Sequence, residues 1–191
     1  MKKNTILMIM LVAGLLACKD DEEPSASTPE FGKATLVLNN KSSEFTALAG
    51  SWRCNPTNLT LSLSNLSTDL TKGVSFFIGN IPAKEGRYTL RRRGVDISSD
   101  NDNDCKLDTS FGSALAYGGE TLVVFYEILE DEAPNELVIT RYDPVAQQLE
   151  GHLQITLAVG EKLFPIGNLE HPDTLRVTQS TFVANIEPPK E

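Results

Sequence analysis

Thr57-Asn58-Leu59-Thr60-Leu61-Ser62-Leu63-Ser64 alternates polar and apolar side chains without a break. Successive side chains of an extended chain point to opposite faces, so the three leucines share one face and the polar groups the other. Leu149, Gly151, Leu153, Ile155 and Leu157 repeat the pattern, with Glu150, His152, Gln154 and Thr156 opposite. Such strands cover a core on one side only, as antiparallel sheets do. Leu122-Val123-Val124-Phe125-Tyr126, inside Thr121–Leu129, is apolar throughout and predicts a central strand buried on both faces.

Working outward, the same period predicts strands at Ala34–Leu38, Glu44–Leu48, Val74–Ile78, Arg87–Arg92, Ser113–Tyr117, Leu137–Tyr142 and Thr174–Ile186. Asn39-Asn40-Lys41, Gly118-Gly119 and Asp143-Pro144 fall between strands and supply turn chemistry. In the last strand Leu175 and Val177 hold one parity and Phe182, Ala184 and Ile186 the other, so a bulge near Gln179-Ser180 is needed to keep a single buried face. No 3.6-residue stripe runs through the chain. About nine or ten strands predict an all-β fold, an antiparallel β-sandwich, with a partly closed β-barrel as the alternative.

The N-terminus reads differently. Lys2 and Lys3 precede an apolar run from Ile6 to Leu16, then Ala17-Cys18. As a helix that run covers roughly 16 Å, about half a hydrocarbon core, so residues 1–17 read as an export signal rather than a spanning helix. Leu15-Leu16-Ala17-Cys18 looks like the lipobox of bacterial lipoprotein signals, which implies lipidation of Cys18; the plainer reading is an ordinary secretory leader. Residues 18–32 then read as the lipidated Cys with an acidic, Pro- and Ser-containing tether, and 33–191 as a single domain. Cys18-Lys19-Asp20-Asp21-Glu22-Glu23 is similar to the export signal of Bacteroidota surface lipoproteins. That implies an outer-membrane protein facing outward, the alternative being one facing the periplasm.

Of the 191 residues, 40% are hydrophobic and 23% charged, the composition of a folded domain. The formal charge is −9, and −11 without Lys2 and Lys3, which excludes the dense basic face that nucleic-acid phosphates require. With Cys18 lipidated, Cys54 and Cys105 form an even pair in an oxidising compartment, where a disulfide is the expected state and two free thiols the alternative. The bridge would close a loop of about 50 residues and contribute about 4 kcal/mol by chain entropy.

Four stretches carry a wider resemblance: Glu85-Gly86-Arg87-Tyr88-Thr89-Leu90, Glu136 to Asp143, Leu149 to Thr156, and Leu175 to Val183. Together they resemble Bacteroidota lipoproteins that carry one β-rich domain of no assigned function. The resemblance implies an all-β lipoprotein and no activity. Asp173-Thr174-Leu175 also resembles the short O-glycosylation sequon of that group.

Catalytic signatures are missing from the sequence. It contains no G-x-S-x-G, H-E-x-x-H, P-loop or G-x-G-x-x-G. His152 falls on the polar face of a strand and His171 precedes Pro172 in a loop; both read as surface histidines. Asp100, Asp102 and Asp104 alternate with Asn and offer hard oxygen ligands to Ca²⁺. Cys105 and Phe111 nevertheless occupy the turn-glycine and bidentate-Glu positions of the EF-hand template, so the plainer reading is a solvated loop. Arg91 and Arg93 share one face of a strand and suit an acidic or sulfated partner, or else pair with local carboxylates or guard a sheet edge. Trp52 reads as a sugar platform or as a ring buried beside Cys54. Phe76 and Phe77 put one ring on each face of a strand.

These readings converge on a non-catalytic, membrane-anchored module that holds a protein or glycan partner at the cell envelope, with no cofactor. A hydrolase of envelope glycan or peptidoglycan, with carboxylates drawn from separate loops, is the main alternative. A passive structural lipoprotein is the other.

Overall fold

The computed structural model describes residues 31–66, 73–92, 109–118, 121–132, 134–162 and 171–188. Every regular element among them is a strand: β1 (Gly32–Leu38), β2 (Lys41–Trp52), β3 (Asn55–Leu66), β4 (Gly73–Pro82), β5 (Gly86–Thr89), β6 (Arg91–Arg92), β7 (Phe111–Gly118), β8 (Thr121–Ile128), β9 (Glu136–Asp143), β10 (Gln148–Lys162) and β11 (Thr174–Ile186). The all-β expectation holds, and each strand read from the periodicity is present. Arg87–Arg92 is divided, because after Leu90, which is buried and whose N–H still bonds the Asn135 carbonyl at 2.9 Å, the chain exchanges β9 for β7 as its partner.

All eleven strands belong to one mixed sheet. Antiparallel pairings run β1–β2–β3–β4–β7–β8–β10–β11 and back to β1, so the hydrogen bonds close into a ring. Beyond the end of β1, β2 and β11 pair directly and in parallel, Asn185 with Leu48 and Ile186 with Ala49. β9 and β5 branch from the other edge of β10. Where two separate layers were expected, long strands such as β10 and β11 stay bonded along both edges and shift register at bulges, so the layers join.

The core lies on one face of this sheet. Leu36, Phe45, Leu61, Leu63, Phe76, Ile78, Tyr126, Leu153, Ile155, Leu157, Val177 and Phe182 are all buried in it. Burying each large aliphatic side chain stabilises the fold by about 1.5–3 kcal/mol. β7 contributes small residues, Gly112, Ala114 and Ala116; a Cβ on Gly112 would lie 2.9 Å from the tip of Ile155 and 3.3 Å from those of Ile78 and Ile128. β8 is buried on both faces from Val123 to Ile128, as its unbroken apolar run requires.

Trp52, Phe77 and Phe111 pack together apart from that cluster, Trp52 edge-on to Phe111 with ring centroids 5.5 Å apart. Of the Phe76-Phe77 pair, the first ring is therefore in the main core and the second in this smaller one. The β1–β2 turn uses Asn39 and Asn40 at φ of 47° and 65°, a conformation that asparagine tolerates. The Asn39 side chain also ties the turn to β11: Nδ2 donates to the Thr174 carbonyl and Oδ1 accepts from the Arg176 N–H.

Candidate functional site

The parity break in β11 is a bulge. Gly151 pairs with Phe182 and Ile155 with Val177, so three residues of β10 face four of β11. The β1–β11 ladder skips the same place, from Val37↔Gln179 to Leu38↔Val177. The extra residue turns Leu175, Val177, Phe182 and Ala184 all inward despite their opposite parities. It also leaves backbone groups without ladder partners. The buried Ser180 replaces some of them: its Oγ donates to the Leu153 carbonyl at 2.7 Å and accepts the Leu153 N–H.

Beside this bulge lies a groove of about 320 Å³, lined by Glu136, Val138, His152, Gln154, Thr178 and Gln179, with Leu153 and Ser180. β9 and β10 set its polar groups side by side, since His152 pairs with Val138 and Gln154 with Glu136. Gly151 permits this approach of strands, because a Cβ there would strike the Val138 carbonyl oxygen. His152 Nδ1 lies 2.9 Å from the Ser180 carbonyl oxygen. A carbonyl only accepts, so in the neutral ring Nδ1 carries the proton and Nε2 keeps its lone pair. Glu136 is bonded by the Arg87 guanidinium, and its side chain remains partly exposed. The lining thus offers an imidazole acceptor, a carboxylate, two amides and a hydroxyl on the rigid backbone of three strands. The Ser180 hydroxyl is engaged by backbone on both its donor and acceptor sides.

A larger depression, about 570 Å³, is lined by residues of β1, β2 and β3 together with Phe31. Several of its hydroxyls are already committed: Thr46 Oγ1 donates to the Ser64 carbonyl, and Ser64 Oγ bonds Ser75 Oγ at 2.9 Å. The bulge groove differs in holding an imidazole and two side-chain amides beside its carboxylate.

Of the candidate site residues that are described, only His152 lines this groove. Trp52 is only 4% exposed, and its ring faces Phe111 and Phe77 with the Arg53 guanidinium 5.9 Å from its centroid, so it is a packed ring and not an open sugar platform. Arg91 is exposed and its N–H bonds the Ser110 carbonyl. Its neighbour Arg92 holds the buried Glu127, and the Arg92 N–H bonds Glu130 Oε1 at 3.1 Å. Cys54 is half-buried next to the aromatic cluster. Cys18, Arg93, Asp100, Asp102, Asp104 and Cys105 lie outside the described residues. Among the described residues no group of three or more His, Cys, Asp and Glu side chains could hold a metal ion.

The bulge that the parity switch predicts near Gln179-Ser180 is present, and it sets Gln179 beside the groove. Asn135 carries no signal in the sequence; it is buried where β8 and β9 diverge from β10. Its Nδ2 donates to the carbonyls of Leu129 and Glu132, and its Oδ1 accepts the Thr156 N–H, at 2.7–2.8 Å.

No family model, curated protein or solved structure matches this chain.

Proposed function

We propose that this chain is a lipid-anchored protein of the bacterial cell envelope whose β domain is a non-catalytic module that binds a glycan at the bulge groove. Cys18 carries the anchor, residues 18–32 the tether, and the module faces outward from the outer membrane, in keeping with the resemblance to Bacteroidota lipoproteins. A disulfide between Cys54 and Cys105, in keeping with an oxidising compartment, belongs to the same reading.

The observation that carries the binding reading is the arrangement of His152, Gln154, Glu136, Thr178 and Gln179 along one 320 Å³ groove. Acceptors and amides held by strands suit a ligand rich in hydroxyl donors, and a groove of this size suits a short stretch of sugar. Hydrolysis by paired carboxylates needs a second acid across the cleft, whereas this lining holds Glu136 alone, engaged by Arg87.

Thermal unfolding of the protein against a panel of envelope glycans tests this. A ligand at 100 times its dissociation constant adds about 2.7 kcal/mol, a shift of roughly 5–10 °C for a domain of this size. One glycan class should raise the midpoint, and Gln154→Ala together with His152→Ala should abolish the rise. A glycan shift that survives both substitutions places binding elsewhere. A shift with an envelope protein alone replaces the glycan by a protein partner.

A further inference from the structure

Among the described residues the exposed large hydrophobics are Phe31, Val145 and Val183. They belong to different elements, yet the register collects them at one end of the sheet. Val183 pairs with Lys33, two residues after Phe31 on the same face of the strand. Gln148, at the end of the turn that carries Val145, pairs with Asn185, and the Ile186 N–H bonds the Gln147 carbonyl. Val145 is 93% exposed and is held outward by its turn: Asp143 Oδ1 accepts the N–H groups of Val145 and Ala146 at 3.1 and 2.8 Å. Those bonds, that of Ala146 foremost, together with Arg141, hold the Asp143 carboxyl below the usual range. The opposite end of the β1–β2 hairpin presents Asn39, Asn40 and Lys41.

The end that bears Val145 and Val183, flanked there by the Arg141 ion pairs with Asp143 and Glu150, is also where the tether joins. The 13 residues from Cys18 to Glu30 span at most about 45 Å, and as a flexible chain about 20 Å on average. A lipid on Cys18 would hold this end near the headgroups at high effective concentration, so even a weak contact would persist. Phe and Val side chains gain by leaving water at an interface, and Lys33 beside them can meet a lipid phosphate.

We infer that Phe31, Val145 and Val183 form a bilayer-contacting rim that seats the domain tether-end down. This inference rests on the proposed anchoring of Cys18. Seated so, the domain stands with its polar hairpin away from the membrane.

Brominated-lipid quenching tests it. The full chain is produced in a host that processes lipoproteins and is reconstituted in phosphatidylethanolamine–phosphatidylglycerol vesicles with brominated acyl chains. Separate variants Phe31→Trp, Val145→Trp and Lys41→Trp add one probe each, read as the difference from the unsubstituted protein with its buried Trp52. The substitutions fall on exposed positions, and circular dichroism confirms the fold of each. Quenching at positions 31 and 145 should be at least threefold that at 41. Equal or greater quenching at 41, with lipid found on the Cys18 peptide by mass spectrometry, overturns the rim and leaves the anchor standing. An unmodified Cys18 overturns both.

Discussion

Both edges of β10 are interrupted, and two of the interruptions are resolved differently. On one edge the partner changes from β9 to β8, and Asn135 fills the fork with three side-chain bonds to backbone groups of Leu129, Glu132 and Thr156. On the other edge β11 carries one residue too many, and Ser180 satisfies Leu153 alone. The fork is closed by a single residue with its hydrogen-bonding capacity nearly exhausted. The bulge leaves Thr178 and Gln179 displayed next to His152 and Gln154. A defect that one side chain can fill becomes structure; a defect filled only in part leaves polar groups on display, and on these the proposed binding rests.

Deleting Gln179 attacks the comparison hardest. With three residues facing three, either Leu175 and Val177 or Phe182 and Ala184 must turn outward, costing about 4 kcal/mol or more. Urea denaturation should show at most a barely folded domain; near-normal stability would mean the bulge is not what reconciles the parities. Asn135→Ala comes next: it strands the buried Thr156 N–H and takes one donor from the carbonyls of Leu129 and Glu132, and a loss of about 3 kcal/mol is expected in the same experiment. Ser180→Ala strands only the Leu153 N–H and carbonyl and should cost about 2 kcal/mol. If Ser180→Ala proved the more damaging, the ranking of fork over bulge would be reversed.

A smaller effect concerns pH. Tyr126 is wholly buried and donates to the Pro172 carbonyl at 2.8 Å. Burial, and then the charge of Asp173, pushes its hydroxyl up to about 12. Folding therefore favours the neutral phenol: its contribution is whole below the unfolded value near 10 and is lost as the pH rises from there to about 12. Tyr126→Phe should flatten that alkaline fall in stability, read as melting temperature against pH. The smallest change in stability belongs to His152→Ala, which removes an exposed ring and should move the midpoint by less than about 0.5 kcal/mol while ending glycan binding.

The strands were legible because alternation is local: Leu59, Leu61 and Leu63 announce their shared face without reference to any other segment. The parity switch between Val177 and Phe182 even located the bulge. What it leaves open beside it was not legible, because Glu136, His152 and Thr178 come from three strands and become neighbours only through register. Asn135 carries no periodic signal, and its role depends on where Thr156 and Leu129 end up. The arginine run has the period of one strand, but after Leu90 the chain exchanges β9 for β7, and Arg92 meets the buried Glu127; nothing local in the sequence announces that exchange. Trp52 drew attention by composition, and the packing of Phe77 and Phe111 against it could not be seen from sequence.

The most direct test of the account is nitrogen NMR of the His152 ring during titration with the glycan that raises the melting temperature. The free protein should show a proton on Nδ1, facing the Ser180 carbonyl, and the Nε2 signal should shift on binding together with the amides of Gln154, Thr178 and Gln179. Saturation of the protein with those signals unmoved would contradict the bulge groove as the binding site.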